Sequence, residues 1–204
     1  EQRHGIRFDN QALEAQPENS IHQKPLFYLV ALSLGGMIAL DWSKRFPNEI
    51  GGVILINSSA ANLTSWYQRI NVMTLAKLMI KICGGKIFSW KKHHIEHAIL
   101  LATSNNQLCP KQVDLWEGFR QQYHTSLENL CRQLLAASRF YVPKGLTTSP
   151  LILTSKNDRL VSSVASKQLH QHLGGKLAVH SSAGHDLPLD DAAWVISQIE
   201  GYFN

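Results

Sequence analysis

The sequence predicts an α/β fold in which a parallel sheet, flanked by helices, is interrupted by an all-helical insertion. Three observations carry that prediction. Short apolar runs recur that are long enough for strands but too short for helices; amphipathic helical segments separate them; and one long central stretch has helical periodicity with no convincing strand.

The first run is Pro25 to Ala31, apolar and ended by small residues, as suits a buried strand. Leu34, Met37, Ile38, Trp42 and Phe46 then recur at three- and four-residue spacing, which predicts a helix with those side chains on its buried face. Pro47 stops it. Gly52 to Asn57 is a second continuous apolar run. Two such strands around one helix make a parallel unit covered on both faces. Between Ser59 and Gly145 the character changes. Pro110 suits the first turn of a helix running through Phe119, and Thr125, Ser126, Leu127 and Glu128 resemble a capping box ahead of a leucine-rich helix. The sheet pattern resumes with a strand at Pro150 to Thr154. A helix follows at Val164 to Leu173, ended by two glycines, then a strand at Lys176 to His180 and a last amphipathic helix from Ala192 to Phe203. The expected division is a core made of residues 1–58 and 146–204, with residues 59–145 as the insertion.

Bulk properties narrow the class. With 204 residues, 44% hydrophobic and 17% charged, the chain suits one globular domain and not a disordered tail. No apolar run approaches the roughly 18 residues that a membrane span needs. The polar N-terminus is not a signal peptide, and it lacks an initiator Met, as expected of a processed chain or a fragment. Three cysteines without C-x-x-C spacing fit reduced thiols and a cytoplasmic location. The net charge of +5 is concentrated around Lys77, Lys81, Lys86, Lys91 and Lys92, with His93, His94 and His97 beside them. Without interleaved aromatics or a recognisable nucleic-acid fold, this is read as a solvated face, and no nucleic-acid partner is expected.

The chemistry concentrates at strand ends. Ala31, Leu32, Ser33, Leu34 and Gly35 form a small-x-Ser-x-Gly string between a buried strand and an amphipathic helix. A serine there sits on a sharp turn, and the positions two before and two after it are expected to be small. Leu34 opens the helix, so its N–H points to where an oxyanion would form. A serine hydroxyl needs a base within reach. Asp158 follows the strand ending at Thr154, and His185 follows the strand ending at His180, so all three groups collect outside the carboxyl ends of parallel strands. Each has a plainer reading beside this one. Ser33 could be a helix N-cap, Asp158 a turn former and His185 a loop histidine. Asp186 is the rival acid, although adjacency leaves it poorly placed to reach the imidazole.

The strings LVALSLGGMIAL, LILTSKNDRLV and SSAGHDLPLDD resemble the nucleophile elbow, acid loop and histidine loop of the α/β-hydrolase superfamily, in particular its lid-bearing esterases. The resemblance runs from about Pro25 to the C-terminus. It implies Ser33 as nucleophile, His185 as base, Asp158 as the group orienting the base, Leu34 as an oxyanion donor and residues 59–145 as a helical lid. It also implies hydrolysis of a carboxylic ester, thioester or lactone through an acyl-serine, with no metal and no organic cofactor. The substrate would be a small ester or acyl compound, and an acidic acyl-carrier protein could dock on Lys91 and Lys92. One departure stands out. The residues before Pro25 are too few for the strands that precede the elbow in this superfamily, so the fold is expected to be partial and the elbow strand an unpaired edge. His4-Gly5 is read as the loop just before that strand. The alternative function is a non-catalytic or weakly active remnant that completes its sheet with a partner or as a homodimer.

Two other features are read as structural. His93, Glu96 and His97 match an H-x-x-E-H zinc-peptidase string but sit among lysines without a third ligand. His170, His172 and His180 lie on a helix and at a strand end. Trp66, Tyr67, Met73 and Trp90 are candidates to line an acyl pocket, but such residues are more often plain packing and they are not assigned to the site.

Overall fold

The computed structural model describes residues 26–87, 94–106, 109–123, 126–147 and 149–203. His4-Gly5, Trp90, Lys91, Lys92 and His93 lie outside the described residues, and with them the proposed carrier-docking lysines and one end of the H-x-x-E-H string. In chain order the elements are β1 (Phe27–Leu32), α1 (Leu34–Arg45), β2 (Ile50–Ile56), α2 (Trp66–Arg69), α3 (Val72–Ile87), α4 (His94–Thr103) and α5 (Pro110–Gln122). They continue with α6 (Leu127–Ser138), β3 (Leu151–Ser155), α7 (Ser163–Leu173), β4 (Lys176–His180), α8 (Leu187–Asp190) and α9 (Ala192–Phe203).

The four strands form one parallel sheet in the order β1-β2-β3-β4. The continuous apolar sequences of β2 and β3 follow from helices covering both faces. On one face, Val53, Leu55 and Ile152 pack with Ala39 and Leu40 of α1 and Leu169 of α7. On the other, Ile54, Ile56, Leu151 and Leu153 pack with Leu187 of α8 and Val195 of α9. The turn into β4 requires glycine at 175: φ is 83°, and a Cβ there would stand 2.0 Å from the Pro150 carbonyl oxygen. Everything described between β2 and β3 is helix or loop. No helix among the described residues is long and apolar enough to cross a membrane.

Two local expectations are corrected. The buried face of α1 is Gly36, Met37, Ala39, Leu40 and Ser43, whereas Ile38, Trp42 and Phe46 are exposed. Close packing on the sheet turns Gly36, Ala39 and Ser43 inward beside Met37 and Leu40, and Ile38, Trp42 and Phe46 turn outward. The leucine-rich helix is capped one residue later than the capping box predicts. Ser126 is the N-cap and its Oγ accepts from the Asn129 N–H at 3.1 Å, while Glu128 pairs with Arg132 on the surface.

Candidate active site

The site begins where β1 turns into α1. Ser33 has φ 52° and ψ −115°, a conformation costing a non-glycine residue roughly 1–3 kcal/mol. Its surroundings hold it there. The Ser33 N–H donates to the Ile56 carbonyl at 2.7 Å, and the Ser33 carbonyl accepts from the Gly36 N–H at 3.0 Å and the Ser58 hydroxyl at 2.6 Å. The Ser33 side chain makes no capping bond to the helix, so the N-cap reading does not account for it. The tight approach is at Gly36, where a Cβ would lie 2.0 Å from Ser58 Oγ. At Gly35, where the motif places its small residue, a Cβ would make an ordinary 3.8 Å contact with Ala31. Leu34 opens α1, and its N–H is among the first-turn donors that a helix leaves without an internal acceptor.

Asp158 lies beyond the end of β3, and its side chain is 1% exposed. One carboxylate oxygen accepts from the Leu160 and Val161 N–H groups at 2.7 and 2.9 Å. The other meets His185 Nδ1 at 2.8 Å. The turn-forming role and the histidine contact thus coexist on different oxygens. A bond from Nδ1 to a carboxylate fixes the tautomer and leaves Nε2 directed elsewhere. Asp186, the rival acid, does not make this contact, and burial raises its carboxyl above the usual range.

Ser33 and His185 line one cavity of roughly 470 Å³. Among the described residues no hydrogen bond joins the hydroxyl to the imidazole; such contacts commonly tighten only when substrate arrives. Apolar side chains of α3, α4 and α6, including Leu78, Met79, Ile99, Leu130 and Leu134, form the walls opposite. Trp66, Tyr67 and Met73 do not line this cavity. They border a separate, more open hollow next to Asp158, and they are themselves largely exposed. The helical layer is tied to the histidine loop through Asp190, whose carboxylate accepts from the Ser104 hydroxyl, the Asn105 N–H and the Gly184 N–H. His180 is held between Asp191, at 3.2 Å, and the Ala183 N–H, at 2.9 Å.

Sequence reasoning passed over Asn57. It follows β2 directly, with φ 47°, and is almost fully buried. Its amide nitrogen donates to the His185 carbonyl at 2.8 Å and to Ser155 Oγ at 3.1 Å, and its oxygen accepts from the Ser155 N–H at 2.8 Å. Asn57 therefore links the strand ends that precede Asp158 and hold His185. An asparagine after an apolar run signals a turn in the first instance, and only the fold supplies its partners. In the sequence Glu96 stands out only as part of the H-x-x-E-H string. It is buried against Arg120 on the cavity wall.

The profile of the family described as Serine aminopeptidase, S33 (Hydrolase_4) matches residues 9–192. The chain belongs to this family, and with it to the α/β-hydrolase superfamily. Solved structures agree on the fold. An esterase from Exiguobacterium antarcticum superposes with a TM-score of 0.68 at 16% identity, covering 87% of this chain and 66% of the esterase. The 2-hydroxy-6-oxo-6-phenylhexa-2,4-dienoate hydrolase of Rhodococcus sp. strain RHA1 gives 0.66 at 18% identity, covering 87% and 64%. An α/β hydrolase from a Medee basin deep-sea metagenome library gives 0.61 at 21%, covering 87% and 65%. The chain thus spans about two thirds or less of the length of each. No curated protein matches it significantly. The parallel sheet with its flanking helices is a partial α/β-hydrolase fold.

Proposed function

We propose that this chain is a serine hydrolase that cleaves a carboxylic ester through an acyl-serine intermediate. The observation that carries the reading is the buried 2.8 Å contact between Asp158 and His185 beside the same cavity as the strained Ser33. His185 takes the Ser33 proton as Oγ attacks the carbonyl carbon, and returns it to the leaving alcohol as the tetrahedral intermediate collapses. Water, deprotonated by the same imidazole, then releases the acid. Asp158 keeps the ring oriented and stabilises its cationic form. The Leu34 N–H is the oxyanion donor that the turn itself supplies. The helical layer over the cavity serves as a lid, and a thioester or lactone would use the same groups.

A fluorophosphonate probe tests this directly. The chain should be labelled, and Ser33→Ala should abolish labelling. Labelling that survives in Ser33→Ala would remove the serine from the mechanism. A second reading has its own support: among the described residues β1 pairs only with β2, and Phe27, Tyr28 and Val30 are more than half exposed. On that reading the chain is inactive until a further strand, from a partner or a second copy, covers β1. A folded chain that resists the probe alone and accepts it when associated would favour this second reading.

A further inference from the structure

Two charged side chains, Glu96 from α4 and Arg120 from α5, stand in the otherwise apolar wall of the Ser33 cavity. Glu96 has a side chain about nine-tenths buried, and one of its oxygens lies 3.3 Å from Arg120 Nε. Among the described residues Arg120 is the cation paired with Glu96. Arg120 is meanwhile gripped by the almost fully buried Glu117. Its Nε donates to one Glu117 oxygen at 3.2 Å and its Nη2 to the other, which also accepts from Gln121 at 3.3 Å. Two carboxylates therefore share one guanidinium, and the carboxylate facing the cavity is the less well served. Burial raises the Glu96 carboxyl above its usual range, Arg120 opposes that shift and Glu117 adds to it.

Among the described residues, two carboxylates set against one guanidinium leave an excess of negative charge beside a largely apolar cavity, and such a charge is costly. A neutral alkyl tail leaves that cost in place, and a carboxylate would face two of its own kind. A cation with N–H donors offsets it. We propose that Glu96 is the specificity-determining residue of the cavity and receives the ammonium group of a substrate whose remaining contacts are apolar. This rests on the hydrolase reading, in which the same cavity holds the scissile ester at Ser33. The ester would carry an aminoalkyl chain on its acyl or its alcohol side.

The test separates the two claims by reading binding in the Ser33→Ala chain, where no turnover occurs. Hexylammonium, 1-hexanol and hexanoate are titrated calorimetrically into this chain and into the same chain carrying Glu96→Gln. Hexylammonium should bind at least about tenfold more tightly than hexanoate, the order expected for a charged hydrogen bond. Glu96→Gln should erase that preference while leaving 1-hexanol affinity unchanged, and Glu96→Asp, which keeps the charge, should retain it. Equal binding of the two ions by the Glu96-containing chain overturns the proposal without reference to any variant. So does a preference that survives Glu96→Gln, because Glu96 would then be only a tie between α4 and α5. Absence of probe labelling at Ser33, both in the isolated chain and in the associated one, would refute the hydrolase reading and leave this measurement standing.

Discussion

β1 and β3 are similarly apolar as sequences and sit in opposite surroundings. All five residues of β3 are buried, whereas in β1 only Ala31 is. The difference is position: β3 lies between β2 and β4, while among the described residues β1 pairs with β2 alone. An apolar run therefore predicts a strand without saying how many neighbours it has. The same division runs through the site. Asp158 follows the enclosed β3, whereas Ser33 follows the exposed β1 and owes its geometry to β2 and Ser58.

The largest test of that contrast is a pair of truncations. Leu153→Ala should destabilise the chain by about 2–5 kcal/mol in urea unfolding, and Val30→Ala by no more than about 0.5 kcal/mol. Equal losses would break the comparison and mean that something packs on β1. A smaller effect is expected where the two regions are joined. Asn57→Ala should cost roughly 1–3 kcal/mol through the polar groups it strands. On the proposed hydrolase reading it should also lower ester turnover more than Asn57→Asp, which keeps the oxygen that accepts from Ser155. A turnover unaffected by either would detach Asn57 from His185. The smallest effect belongs to the helical layer. Glu128 and Arg132 are both more than two-thirds exposed, so Glu128→Ala should shift stability by no more than about 0.5 kcal/mol, less in high salt.

Much of this was legible beforehand because it is local. The apolar runs at 52–57, 150–154 and 176–180 locate three strands within about two residues, since continuous apolarity bounded by turn residues leaves few alternatives. The small-x-Ser-x-Gly string and the two loop residues sit where the chain order suggests. What could not be read depends on neighbours distant in sequence. The α1 stripe that faces the sheet was misjudged because hydrophobicity alone favours Ile38 and Trp42, whereas Gly36 is needed only once Ser58 lies against it. Asn57 gains its meaning from His185, 128 residues away. Glu96 gains its meaning from Arg120, which no spacing rule connects to it.

The Asp190 carboxylate is shared by the end of α4 and the loop that carries His185. That clasp makes the two segments one mechanical piece, so the roof of the cavity is pinned at its α4 corner. Loosening that clasp would therefore disturb the loop that holds the imidazole together with the α4 wall of the cavity.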